Sequence, residues 1–402
     1  MVKIKVLFIH NFYQQPGGED KVVASEMELL KSKGIEVNLF SAHNNTINNQ
    51  NVFGKIKIAL ETIWSYTYYK KIKKYLTINK PDVVHVHNFF PLISPSVYYA
   101  CSALNIPVVQ TLHNYRIICP SATLLLNNQI CEISLKGSML NSIRYGLYHN
   151  SKLHTVPVAS MISINRLLGT WNDKVSRYIA LTNFAKGKFI EGGISSNKIT
   201  VKPNFIKKKN IEKGLEDKKF ILYVGRISIE KGLHILLKAW KNVKNKQNYK
   251  LIIIGDGPEK ARLEKEYELS DIIFMGKQNE NIVLEYMRSA KYLIVPSIWY
   301  EGFPMSIVES YSMGTPVICT NIGSLQEVVD HEKTGFHFKY NDFSNLSIVL
   351  ERALYFTDYN KMRRDVLKKY HENYTPEVNY KKLINIYQEV IKEKNNGTKT
   401  KY

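Results

Sequence analysis

Short apolar runs alternate with longer amphipathic segments along this chain, and the alternation stops once and begins again. Ile4 to His10, Val37 to Phe40, Asp82 to His87, Val108 to Leu112 and Tyr178 to Leu181 read as strands buried in a parallel sheet, with helical segments between them. After Lys202-Pro203-Asn204 a charged stretch from Lys207 to Lys219 intervenes. The pattern then resumes with Phe220 to Val224, Leu251 to Ile254, Ile272 to Met275, Tyr292 to Val295 and Val317 to Cys319. Strand–helix repetition of this kind builds an open parallel sheet covered by helices on both faces. An α/β chain of two doubly wound, Rossmann-like domains is therefore expected, with residues 1–205 as the first and 206–375 as the second. In the remaining segment, 376–402, a final helix of about Val378 to Glu393 would return to the first domain.

The 402 residues suit two domains. No stretch reaches the roughly 18 uninterrupted apolar residues of a membrane-spanning helix. The apolar run at the start is short and alternates with lysine, so it reads as a strand rather than a signal segment, and a cytoplasmic protein is expected. Four scattered cysteines, Cys101, Cys119, Cys131 and Cys319, form no Cys-x-x-Cys pair, which argues against a disulfide framework or a complete zinc site. The net charge of +21 attracts phosphate-bearing partners, whether nucleotide, anionic membrane or nucleic acid, and does not choose among them.

Ligands of open α/β sheets sit beyond the carboxyl ends of the strands, so the loops there carry the chemistry. The first runs Gln15-Pro16-Gly17-Gly18-Glu19-Asp20 into a helix. Gly17 and Gly18 let the backbone approach a phosphate at a helix N-terminus, although a plain tight turn accounts for them equally well. At the first strand of the second domain, Gly225-Arg226 is followed by Lys231-Gly232. A planar Arg fork and a flexible Lys suit a departing diphosphate, whose negative charge grows as its bond breaks. A solvated surface pair is the plainer reading. The segment Glu301-Gly302-Phe303-Pro304-Met305-Ser306-Ile307-Val308-Glu309 sets two carboxylates around a helix start, with Pro304 suited to the first helical position. Carboxylates accept paired hydrogen bonds from sugar hydroxyls, so Glu301 suits the transferred sugar and Glu309 a ribose. Helix capping is the alternative for either.

In order and spacing these motifs resemble the family 4 retaining glycosyltransferases (glycosyl transferases group 1) of the GT-B fold. The resemblance takes in Gly17-Gly18, His113 in Thr111-Leu112-His113-Asn114, Pro203-Asn204, Gly225-Arg226 with Lys231-Gly232, Gly255-Asp256-Gly257-Pro258, and Glu301 through Glu309. It implies two Rossmann-like domains facing each other across a cleft. By the same resemblance Arg226 and Lys231 hold the donor diphosphate, Glu309 the ribose, Glu301 the donor sugar, and His113 the sugar near its reacting carbon. Gly17, Gly18, Asn204, Gly225, Gly302, Phe303, Pro304 and Met305 complete the implied donor site. The chain departs from the pattern at Asn114, where many members carry Asp. Ser134 and Tyr148 stand where relatives with a similar start carry further cysteines, so Cys119 and Cys131 are expected to be ordinary buried thiols. The implied reaction is retaining and independent of metal or cofactor. It moves a hexose-type sugar from a nucleotide donor, UDP-linked, to a saccharide or lipid-linked acceptor in cell-surface polysaccharide synthesis.

Other features pull elsewhere. His85 and His87 share a strand face as two metal ligands could, but no third ligand is evident nearby, so packing and hydrogen bonding is the better account. Gly255-x-Gly257 lacks the third glycine of a dinucleotide fingerprint and reads as a helix entry. Between Lys55 and Leu76 the residues Ile56, Leu60, Trp64, Tyr68 and Ile72 recur every four positions on one expected helix, with Lys55, Lys57, Lys70, Lys71, Lys73 and Lys74 interspersed. Such a helix either packs its apolar stripe inward or lies on an anionic membrane, which would make the protein peripheral on the inner face of the cell membrane. Rival functions are a basic nucleic-acid-binding α/β protein and a same-fold phosphorylase or epimerase. The tyrosine-rich segments carry no nucleic-acid-binding motif, so no nucleic-acid partner is expected.

Overall fold

The computed structural model describes residues 4–14, 17–48, 51–209 and 219–399. Gln15 and Pro16, and most of the charged stretch between Lys207 and Lys219, lie outside the described residues. The strands are β1 (Lys5–Phe12), β2 (Glu36–His43), β3 (Val83–Asn88), β4 (Val108–Leu112), a small hairpin of β5 (Leu125–Leu126) and β6 (Gln129–Ile130), β7 (Arg177–Ala180) and β8 (Ile199–Val201). They continue as β9 (Phe220–Val224), β10 (Lys250–Ile254), β11 (Ile272–Gly276), β12 (Leu293–Val295), β13 (Val317–Thr320) and β14 (Gly335–Phe338). Two six-stranded parallel sheets result, ordered β2-β1-β3-β4-β7-β8 and β11-β10-β9-β12-β13-β14. Both are doubly wound. Each reverses its winding direction once, between β1 and β3 in the first sheet and between β9 and β12 in the second.

Five strands in each sheet coincide with an apolar run, and the sixth, an edge strand, does not. β8 is only three residues long, and β14 opens on Gly335, where a Cβ would stand 1.8 Å from the Val317 carbonyl oxygen. A three-residue edge or a glycine start leaves little pattern to read.

The chain divides into two compact units: Met1–Leu126, Cys131–Pro203 and Asn379–Tyr402 form one, and Asn127–Ile130 with Asn204–Val378 form the other. The last helix, Pro376–Lys399, spends most of its length in the first unit. There Leu383, Ile386, Tyr387 and Val390 bury against Val6, Phe8 and Val83 of the sheet. In the second unit, apolar clusters around Trp240 and Tyr311 cover the two faces of the sheet.

The expected helix over 55–76 is two helices, Val52–Ile63 and Tyr66–Asn79. Trp64 is extended between them. The Ser65 hydroxyl caps the second helix by accepting from the Tyr68 N–H, while the Ser65 N–H donates to the Ser94 hydroxyl. A serine that caps and is itself anchored outcompetes helix continuation. The apolar stripe is broken as well. Ile72 and Leu76 are buried, whereas Ile56 and Leu60 on the first helix face outward.

Candidate functional site

In the second unit the implied donor residues lie at the carboxyl ends of β9 and β12, the neighbours between which the sheet reverses. Three glycines let the loops there approach closely. A Cβ on Gly232, whose φ is +71°, would stand 1.9 Å from the Pro296 carbonyl oxygen. Gly255 and Gly257 press against the carbonyls of Gly225 and Ile227 at 1.9 and 2.3 Å from the same hypothetical atom. Backbone bonds from Gly225 N–H to Ile254 and from Ile227 N–H to Asp256 close that junction. Gly255 to Gly257 therefore braces the Gly225-Arg226 loop, and the helix beyond it starts later, at Lys260.

Side-chain chemistry gathers on this frame. Lys231 Nζ donates to Glu301 Oε1 at 2.7 Å, and the Ser297 hydroxyl donates to the same oxygen at 2.7 Å. The Lys231 ammonium also lies 5.2 Å from the centroid of the Trp299 ring. Glu301 is nearly closed to solvent, 7% exposed, while Lys231 is half-buried and Arg226 exposed. The Arg226 guanidinium makes no hydrogen bond or ion pair to a described residue. Pro304 is the N-cap, one residue before the first helical position expected for it, and the helix runs Met305–Ser312. The Met305 and Ser306 amides head this helix at the end where its dipole is positive. Glu309 lies half-buried on its second turn; Gly302, Phe303 and Met305 are half-buried beside it. Asn204, at the start of this unit, is buried, and its Oδ1 meets no hydrogen-bond donor among the described residues.

The first unit places its implied residues in the loops after β1 and β4. Gly17 is the N-cap of the helix Gly18–Ser32, and its N–H donates to Asp20 Oδ2 at 2.7 Å. A Cβ on Gly17 or Gly18 would meet no atom within 4 Å, so packing does not demand glycine at either position. The same helix start supplies Glu19, whose Oε2 accepts from the Tyr13 hydroxyl at 3.2 Å and from Asn114 Nδ2 at 3.5 Å. That joins the glycine loop to the His113-Asn114 segment. Burial, with Asp20 adjacent, pushes the Glu19 carboxyl up to about 8, so it carries its proton at neutral pH. Behind it His10 Nε2 bonds Asp20 Oδ1 at 2.7 Å.

His113 Nε2 lies 3.0 Å from His87 Nδ1, and the two rings stack. Burial pushes His113 down to about 3 and holds His10, His85 and His87 below the ordinary range. These four imidazoles are neutral. A third metal-type group, which the sequence did not reveal, does stand beside His85 and His87: Glu26, the three offering ligand atoms within 4.8 Å of one another. The donor set does not suit a cation. His85 spends Nδ1 on the Tyr387 hydroxyl and Nε2 on Thr111, and Glu26 Oε1 already holds the Lys202 ammonium at 2.5 Å. Cys119 is buried beside Ser121, but Cys131 is only half-buried, against expectation, because it directly follows the β5–β6 hairpin, whose turn is exposed.

Sequence reasoning missed Ser297 and Trp299 around Lys231, and Tyr13, Glu19, Glu26, Asp20, His10 and Lys202 around His113. Glu26 carried one available signal, an acid among the apolar positions of its helix beside Val22, Val23, Leu29 and Leu30.

Two doubly wound units, one with a lysine and carboxylate at its switch point, define the GT-B architecture of glycosyltransferases. Residues 204–373 match the family model of glycosyl transferases group 1 and residues 16–209 that of Glycosyltransferase Family 4, and the chain belongs to this family. It is 26% identical to an uncharacterized glycosyltransferase of Methanocaldococcus jannaschii over 73% of each chain. It is 24% identical to the capsular polysaccharide biosynthesis glycosyltransferase CapM of Staphylococcus aureus, over 68% of this chain and 73% of that one. Identity is also 24% to the alpha-monoglucosyldiacylglycerol synthase of Streptococcus pneumoniae, over 88% and 79%. Among solved structures, Anabaena HepE in complex with UDP matches with a TM-score of 0.68 at 17% identity, covering 96% of this chain and all of that one. A glycosyltransferase of Rickettsia africae matches with a TM-score of 0.71 at 18% identity, covering 98% and 100%.

Proposed function

We propose that this glycosyltransferase moves a hexose-type sugar from a UDP donor, with retention and without a metal ion, to a saccharide or lipid-linked acceptor of cell-surface polysaccharide synthesis. The observation that carries the reading is the Lys231–Glu301 pair at the switch point of the second sheet. Lys231 has three N–H donors and Glu301 takes one, so the others can meet a diphosphate. Arg226 and the amides of Met305 and Ser306 add positive potential, which serves the departing diphosphate in place of a cation. Both hydrogen bonds to Glu301 fall on Oε1, leaving Oε2 to a sugar hydroxyl, while Glu309 takes the ribose. The UDP held by the Anabaena structure and the capsular and glycolipid relatives support donor and acceptor class. Retention follows if the acceptor hydroxyl attacks from the face that the diphosphate leaves, passing its proton to the phosphate. The test is thermal unfolding with UDP, GDP and ADP in EDTA, since a ligand of the native state raises the transition. UDP should raise it most. No shift with any nucleotide would overturn the reading, and an inverted anomer in the product would overturn retention.

The acceptor class agrees with a second surface, which we assign to an anionic bilayer at the inner face of the cell membrane. Phe53 (82% exposed), Ile56 and Leu60 are exposed on Val52–Ile63, and Leu153 (78%), Val156 and Leu167 (87%) are exposed on the helix Lys152–Leu167, which packs against it. Apolar side chains this exposed on packed neighbouring helices mark an interaction face. From Asn44 to Pro81 Glu61 is the only acidic residue, and from Ile133 to Asn172 there is none, while Lys55, Lys57, Lys70, Lys71, Lys73, Lys74 and Lys152 all lie in these stretches. Cations around apolar side chains complement an anionic lipid surface. Co-sedimentation with phosphatidylglycerol vesicles should fall in a Phe53→Ser, Leu60→Ser, Leu153→Ser variant and in high salt. Unchanged co-sedimentation in both would remove this surface as the contact.

A further inference from the structure

A chain of four groups, three of them buried and the last, His113, half-buried, runs from Lys202 to His113. Lys202 Nζ holds Glu26 Oε1 at 2.5 Å, and neither side chain reaches solvent. The other carboxylate oxygen, Oε2, lies 3.7 Å from His87 Nε2; each of these atoms is buried, and neither has a hydrogen-bond partner among the described residues. His87 Nδ1 lies 3.0 Å from His113 Nε2. His85 closes the side of the stack at a ring separation of 4.1 Å from His87, with both its nitrogens engaged elsewhere.

Electrostatics decides where the protons sit. A carboxylate facing an imidazole nitrogen across 3.7 Å, with both atoms buried, attracts an N–H and repels a lone pair. His87 is neutral and carries one ring proton, which therefore belongs on Nε2. Its Nδ1 is then an acceptor. The bond to His113 must be donated by His113 Nε2–H, and neutral His113 is left with a bare lone pair on Nδ1.

We infer that Glu26, acting through His87, holds His113 in its Nε2–H tautomer, so that Nδ1 accepts a hydrogen bond from a hydroxyl of the bound sugar. The partner at Nδ1 rests on the sugar contact that the family pattern assigns to His113; the tautomer does not. Glu26 and His87 are positioning residues, and Lys202 orients the carboxylate. The device favours a hydroxyl-bearing sugar carbon over a deoxygenated one, which leaves the Nδ1 acceptor without its donor.

The test uses the full chain with 15N-labelled histidine and long-range 1H–15N correlation spectra, in which protonated and bare ring nitrogens are well separated. The wild-type protein should show His113 protonated on Nε2 and bare on Nδ1, and this spectrum needs no variant. In Glu26→Gln, Lys202 keeps the amide oxygen, so the NH2 group faces His87 Nε2 and both rings should exchange tautomers. A wild-type His113 protonated on Nδ1, or a folded Glu26→Gln protein with unchanged tautomers, overturns the inference. With UDP-sugar, Glu26→Gln should lower kcat/KM about tenfold while UDP binding stays the same. If the tautomers exchange but kcat/KM does not change, the hydroxyl partner falls and the tautomer control stands. Loss of UDP binding in wild-type protein instead strikes the donor assignment itself.

Discussion

The strand ends of the two sheets hold opposite chemistries. In the second unit the candidate groups are ions at the edge of solvent: Arg226 exposed, Lys231 half-buried, and Glu301 shielded but paired. In the first unit burial holds four histidines neutral and Glu19 protonated, beside the buried Glu26–Lys202 pair. Ions at a rim can follow a leaving group that gains charge, whereas neutral donors and acceptors in a dry interior hold one hydrogen-bond pattern. On the proposed reading, the second unit stabilises charge and the first orients neutral groups.

The largest effect expected is from Glu26→Ala, which leaves the Lys202 ammonium alone in the interior and should cost about 3–5 kcal/mol of stability by denaturant unfolding. Replacing Lys202 by Met in the same protein should recover much of that loss, and no recovery would show that the pair is not what holds this interior. Gly232→Ala comes next. Its added Cβ meets the Pro296 carbonyl in a left-handed backbone, so about 3 kcal/mol should be lost and UDP should no longer raise the unfolding temperature.

A smaller effect follows from titration. The four histidines are held below 6.5, His113 down to about 3, so between those values the unfolded chain binds more protons and stability climbs with pH. Glu19 is held above 4.5, up to about 8, so between those values the folded chain binds the extra proton and stability falls with pH. The histidines outnumber Glu19 below 6.5, and Glu19 acts without them above it. Stability should peak near 6.5 and decline toward 8, and Glu19→Gln should flatten the decline. A decline of equal slope in that variant would show that Glu19 is ionised in the folded protein. The smallest effect is expected from Glu309→Ala, a rise of roughly fivefold in donor KM with little change in kcat, since a ribose contact is alike in ground and transition states.

These regions also differ in how far they can be read from sequence. The charged site lies in two short segments, Gly225 to Gly232 and Glu301 to Glu309, whose residue types and spacing survive on the page. The chain from Lys202 to His113 is assembled from a helix, a strand and two positions just past other strands, and one of its bonds joins Glu26 to Lys202 across 176 positions. Nothing local announces it except a glutamate on an apolar helix face. The same limit explains the helix over 55–76: its four-residue period runs through Ser65, and only the contact with Ser94 shows that the chain stops and restarts there.

The central claim, that the second unit binds the diphosphate through Lys231 without a metal, is tested most directly by calorimetric titration of UDP into wild-type protein and Lys231→Ala in EDTA. A hydrogen bond to a charged group contributes about 1.5–3 kcal/mol, so the variant should bind on the order of ten- to a hundredfold more weakly, while the wild type binds without added cation. Equal affinity in the two proteins, or wild-type binding that appears only when a divalent ion is restored, would contradict it.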